Sequence, residues 1–236
     1  MKKITIITIL LYLTQSISAQ PFHFGLRIGP TLNWLKTDYS ETIDSTKYSL
    51  ASNGATVGFT YGLMLDFNFT ENYAICSGLD VAYRGGSLKY TTYKDAMNNN
   101  VTTKSFSNEY VELPLTLKLK TNEIGYMRYF IQFGGSLDIN IRAHADIDST
   151  VINNGILQKG SSSGENVYGE INPFTMSLII GAGVEYSLQG HTQLYAGITF
   201  KNGFIDVLKD KQLDNTSYAN YSAISNYLAL NLGIFF

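Results

Sequence analysis

One stretch of this chain gathers the residue types of hydrolytic chemistry: His144, Asp146, Asp148 and Ser149. A base, a carboxylate to orient it and a hydroxyl nucleophile are the parts of an acyl-transfer site. Such parts must converge in space, and closeness along one segment does not achieve that. The cluster therefore reads as a solvated connection. His23 and His191 lie far away in sequence, and no His-x-x-x-His spacing is present. Too few ligands converge for a metal site. No Gly-x-Ser-x-Gly elbow and no phosphate loop occur. Cys76 is the single cysteine, so no intrachain disulfide framework can form. The expectation is a chain with no catalytic residue, no cofactor and no metal.

A stronger pattern is made by charges that stand alternately with apolar residues. Arg27, Asp66, Asp80, Arg84, Glu112, Lys118, Asp138, Arg142, Glu185 and Lys201 each sit opposite an apolar face. Their signs balance. Charges buried together must be paired, so on one shared interior face they predict a salt-bridged plug with a structural role. Cys76 falls on the same face and is expected as a small filler.

The elements that would place them are strands. Residues 55–69 show the period most clearly. Ala55, Val57, Phe59, Tyr61, Leu63, Leu65, Phe67 and Phe69 alternate with Thr56, Gly58, Thr60, Gly62, Met64, Asp66 and Asn68. A helix would spread both sets around its circumference; a strand separates them onto two faces. The same period runs through residues 22–35, 73–90, 107–120, 128–143, 174–188, 193–204 and 226–236. The resulting expectation is an all-β fold, an eight-stranded antiparallel up-and-down β-barrel. Connections 70–72, 121–126 and 188–192 are short; 36–53, 91–106, 144–173 and 205–225 are long and polar. Short turns on one rim and long loops on the other suit a transmembrane barrel with both termini on the periplasmic, short-turn side. Pro114 falls inside a strand and predicts a bulge or irregular pairing there.

Period alone does not say which face is outside. Glycines gather on the polar face (Gly25, Gly29, Gly58, Gly62, Gly78, Gly181, Gly183), which suits a crowded interior. Aromatics such as Phe22, Trp34, Tyr73, Tyr83, Tyr129, Phe174, Tyr186 and Phe200 stand near strand ends on the apolar face, as interfacial girdles do. Both features put the apolar face in lipid. The alternatives are a narrow transport pore and a secreted lipocalin-like soluble barrel binding a small apolar ligand.

Residues 1–19 open with Lys2 and Lys3, run apolar from Ile4 to Leu13 and end in Ser16-Ile17-Ser18-Ala19. That is the layout of a secretory signal peptide, too short for a spanning helix. It leaves residues 20–236 as one barrel domain. The formal net charge of −2 carries no basic surplus, so no nucleic-acid partner is expected.

The segment Phe24-Gly25-Leu26-Arg27-Ile28-Gly29-Pro30-Thr31-Leu32-Asn33 resembles the first strand of the PorT-like outer-membrane β-barrel family of Bacteroidetes. Tyr110-Val111-Glu112-Leu113-Pro114 is similar to that family's Tyr-x-Glu-x-Pro strand, and Gly181-Ala182-Gly183-Val184-Glu185-Tyr186 with Leu194-Tyr195-Ala196-Gly197 fits its penultimate hairpin. Asn202-Gly203-Phe204 departs from the segment that members often carry there. The resemblance implies an outer-membrane location, and a terminal Phe236 read by the outer-membrane assembly machinery. The absence of convergent chemistry and the long loops lead to the expectation of a non-enzymatic structural or interaction role through extracellular loops, with lipid and a loop-bound protein as partners. The family's founding member is linked to type IX protein secretion; fold by itself assigns no function.

Overall fold

The alternating segments form strands in the computed structural model, which describes residues 22–43, 45–188, 192–209, 211–214, 217–219 and 222–236. The expected signal peptide lies outside the described residues. Among those described, thirteen strands occur: β1 (Phe22–Lys36), β2 (Asp38–Ile43), β3 (Thr46–Ser52), β4 (Ala55–Asn68), β5 (Tyr73–Asp95), β6 (Asn98–Lys120), β7 (Met127–Asn153), β8 (Ile156–Asn166), β9 (Phe174–Ser187), β10 (Gln193–Gly203), β11 (Lys211–Asp214), β12 (Ser217–Ala219) and β13 (Ile224–Phe235). No helix among the described residues is long and apolar enough to cross a membrane.

Eleven strands join one antiparallel sheet that closes in a ring. Neighbours run β1, β4, β5, β6, β7, β9, β10, β13 and back to β1. Closure leaves no free edge around the ring, the condition for a sheet to sit in lipid. The start of β1 and the end of β13 meet at one rim, the terminal rim, where the Phe236 amide donates to the Phe24 carbonyl at 2.8 Å.

Three of the long connections are not loops. Residues 91–106 continue the β5–β6 hairpin as far as Asp95 and Asn98, with one register shift between Tyr93 and Asp95. Within 36–53, β2 pairs with β3, and β3 docks on β5. Within 144–173, β7 runs on to Asn153, turns, and returns as β8. That turn is Asn154-Gly155, both with positive φ (49° and 77°), the Asn-Gly signature of a tight hairpin. The extra pairing was hidden because apolar residues are sparse in these segments, Leu50 and Phe106 among them, too few to show the alternation that marks a half-buried strand. A membrane-spanning strand needs only about 9–11 residues. The 23 residues of β5 therefore run well beyond any lipid band.

At Pro114 the pairing is irregular, as expected, but without a bulge. Pairing on either side of Pro114 keeps one register, Ser77↔Leu115 and then Asp80↔Glu112, with only the intervening ladder rungs missing. The missing N–H costs rungs rather than shifting the strand. The bulge lies elsewhere: Glu109 pairs with Arg142 and Tyr110 with Asn140, so Ile141 is an extra residue in β7.

Candidate functional site

The interior is built by the small-and-polar face of each ring strand, and its layers follow strand order. Near the terminal rim, Lys118 is ion-paired with Asp66 and Glu185, and Lys120 reaches Glu185 at 3.1 Å and Asp66 at 3.9 Å. Three rings enclose the Lys118 ammonium: Phe130 (5.0 Å), Phe235 (5.1 Å) and Tyr195 (5.4 Å). One layer on, Arg27 is held by Asp80, with Nε donating to Oδ1 at 2.8 Å. Next, Arg84 and Lys201 share Glu112 and Asp138, with Arg84–Asp138 at 3.0 Å and Lys201–Asp138 at 2.9 Å. The Tyr227 hydroxyl donates to Glu112 at 2.9 Å, and the Arg84 guanidinium lies between the rings of Tyr110 (4.7 Å) and Tyr227 (4.8 Å).

Close packing explains the glycines here. A Cβ on Gly62 would sit 2.3 Å from Asp80 Oδ1, so only glycine lets the Asp80 carboxylate lie against that wall. Cys76 is buried on this face. The space left among Arg27, Asp80, Glu112 and Lys201 is a cavity of about 30 Å³, room for a water molecule or two.

Nine of the ten charges expected inside line this core. Arg142 does not: its side chain is 68 % exposed and its nearest carboxylate is Glu109, 3.9 Å away. The cause is the extra residue Ile141, because one inserted residue reverses the inward parity of everything after it. Asn140 is inward before the bulge, and Ala143 and Ala145 are inward after it. Lys120, which alternation also placed on the polar face, is the cation that was overlooked. Five cations (Arg27, Arg84, Lys118, Lys120, Lys201) thus meet five anions (Asp66, Asp80, Glu112, Asp138, Glu185). The inward rings of Tyr110, Phe130, Tyr227 and Phe235 were overlooked as well; their parity opposite the apolar face was the available signal.

Beyond the charged layers the interior turns apolar. Leu35, Leu50, Leu88, Phe106, Ala143, Ala145, Val167, Ile171, Val207, Leu208 and Ala223 pack into one buried cluster. The turn Tyr168–Glu170 folds over it, and Lys104 ties Glu170 down at 2.8 Å.

The hydrolase-like stretch does not converge. His144, Asp146 and Asp148 share the outward face of β7, while Ser149 lies on the opposite face. Asp148 accepts from Ser161 Oγ at 2.7 Å. Asp146 accepts from Ser163 Oγ at 2.6 Å and from the Gly164 amide at 2.8 Å, and these donors hold its carboxyl below the usual carboxylate range. Ser149 Oγ donates to the Gly160 carbonyl. These polar groups pin β8 to β7. His23 Nδ1 accepts from the Asn68 side-chain amide at 3.0 Å on the terminal rim, and His191 lies outside the described residues. Among the described residues no group of His, Cys, Asp and Glu is arranged to hold a metal ion.

Outside, the ring carries a belt of exposed apolar residues: Phe24, Leu26 and Ile28 on β1, Leu63 on β4, Leu79 on β5, Ile131 and Phe133 on β7, Leu178 and Ile180 on β9, Ile198 on β10, Leu230 and Leu232 on β13. Paired rings edge it, Trp34 on Phe200 and Tyr61 on Tyr83 at one side, Phe22 on Phe67 and Phe69 on Tyr73 at the other. An apolar exterior with aromatic edges around a charged interior is the surface of a β-barrel that lives in a membrane.

The chain belongs to the family described as outer membrane protein beta-barrel domain, whose sequence model matches residues 15–209. It is an outer-membrane β-barrel protein. Solved structures to which it is similar include Neisserial surface protein A (NspA), at 10 % identity over 91 % of this chain and 95 % of that one, with a TM-score of 0.40. Another is Ail, the attachment invasion locus protein of Yersinia pestis, at 14 % identity over 91 % and 98 %, TM-score 0.37. A third is the outer membrane protein OprG from Pseudomonas aeruginosa, at 8 % identity over 93 % and 98 %, TM-score 0.43. No curated protein matches the chain.

Proposed function

We propose that this chain crosses the outer membrane as a closed, eight-stranded barrel. In this reading residues 1–19 are an export signal, residues 20–236 form the barrel domain, and both termini are periplasmic. The protein is non-enzymatic: it anchors a rigid β-extension outside the cell and offers that extension to a protein partner. Phe236 serves as the C-terminal signal for the outer-membrane assembly machinery. The resemblance of residues 24–33 and 110–118 supports reading it as a PorT-like barrel of Bacteroidetes, with a link to protein secretion.

The observation that carries this reading is the filled interior beneath a long extension. Paired charges and rings pack the interior around a cavity of about 30 Å³, which supports an anchor rather than a transport pore. The exposed apolar belt runs against a soluble ligand carrier, whose apolar face would point inward. The test is to refold the purified chain into bilayers. Unheated and boiled samples are expected to migrate differently on a gel, and planar bilayers are expected to stay electrically silent. Stepwise conductance would overturn the anchor reading in favour of a pore.

A further inference from the structure

The lipid-facing wall departs from an even belt at one place. At Pro30 the β1–β13 ladder loses rungs, passing from Ile28↔Leu232 directly to Thr31↔Ala229. Proline brings no N–H and a compact ring, and the wall there is recessed. The recess is a groove of about 310 Å³ between Pro30, Leu32, Val57, Ile198, Leu228 and Leu230. Its volume is about twice that of an apolar cavity known to hold benzene. Val57, on its flank, is 82 % exposed, the highest value among the large apolar residues described.

The groove has a defined end. Trp34 and Phe200 stack across it with centroids 6.1 Å apart and planes 19° from parallel. Lys36 follows on the same face, roughly 7 Å farther along the strand, and is exposed. The residues paired across from this end, Ala55 opposite Trp34 and Ile224 opposite Lys36, carry no charge that would satisfy the ammonium. An apolar trough, then an aromatic pair, then an exposed cation is the order of chemistry in a lipid read from tail to headgroup.

We propose that this groove binds one anionic, phosphate-bearing membrane lipid. An acyl chain lies along Leu32, Val57 and Leu230, Trp34 and Phe200 sit at the interface, and Lys36 holds the phosphate. The proposal rests on the membrane-spanning reading above. It makes Lys36 a specificity residue, because the apolar trough accepts any acyl chain and only the charge selects the headgroup.

Trp34 is the chain's single tryptophan, so its fluorescence reports on this groove alone. The full chain is refolded into phosphatidylcholine bilayers carrying a minor share of brominated lipid, either phosphatidylglycerol or phosphatidylcholine. Trp34 is expected to be quenched as though the brominated phosphatidylglycerol were enriched about fivefold beside it, the preference one lysine near anionic lipid supports. Lys36→Gln should remove that preference and leave quenching by brominated phosphatidylcholine unchanged. Val57→Phe, which fills the trough, should lower quenching by both. Equal quenching by the two lipids, or a preference that survives Lys36→Gln, overturns the site. Absence of quenching by either lipid overturns the membrane-spanning reading with it.

Discussion

The two ends of β5 show one strand solving opposite problems. From Tyr73 to Arg84 its outward residues are Tyr73, Ile75, Leu79 and Tyr83, and its inward ones include Asp80 and Arg84. From Leu88 onward the inward residues are Leu88 and Tyr90, and the outward ones are Lys89, Thr91 and Tyr93. Alternation is the same throughout; the meaning of each face inverts. In lipid an apolar interior gains nothing over an apolar exterior, so the ring is held by its closed ladder and paired charges. In water the extension is held by ordinary apolar burial, as in a soluble sandwich. The bulge at Ile141 stands at this junction on β7 and turns Ala143 and Ala145 into the apolar cluster.

The largest loss is expected at Asp138, in the charged interior of the ring. Asp138→Ala leaves Arg84 and Lys201 with only Glu112 between them, and a buried charge without its partner costs about 3–5 kcal/mol. Urea unfolding from lipid vesicles should show that loss. A variant within about 0.5 kcal/mol of the parent would mean that the inner charges do not hold the ring.

The outer faces of the two regions can be set against each other on one strand. Leu79→Arg places a charge in the lipid belt and should cost about 2–4 kcal/mol in the same unfolding measurement. Tyr93→Arg, on the same face of the extension, should stay within about 0.5 kcal/mol. Equal costs at the two positions would erase the boundary drawn between Tyr83 and Leu88.

The smallest effect concerns the polar ties of the extension. Donors from Ser163 and Gly164 favour the charged form of Asp146, so its pKa is depressed in the folded state. Such a group stabilises the β7–β8 hairpin above the ordinary carboxylate pKa, and that contribution is lost as pH falls through the lowered value. The Gly164 amide resonance should shift only below the usual carboxylate range, and Asp146→Asn should leave it flat. A midpoint at or above that range would show that the ties are not made.

Much of the ring was legible in residue order. The alternation in residues 55–69 and 226–236 shows strands with one apolar face, and Asp66, Asp80, Glu112 and Lys118 could be assigned to the opposite side by counting in twos. Arg142 could not, since a single inserted residue at Ile141 leaves no compositional mark and still reverses everything beyond it. The strands of the extension were equally silent, because β8 is exposed on both faces and carries no period for burial to imprint.

The sequence by itself determined the period, the two faces of each ring strand and the balance of charge among them, because those follow from which residues alternate. Which cation meets which anion, where the parity flips and how far the sheet rises above the lipid were decided only by the tertiary structure. Register between strands distant in sequence sets those contacts: Lys201 reaches Glu112 and Tyr227 reaches the same carboxylate only when the ring has closed.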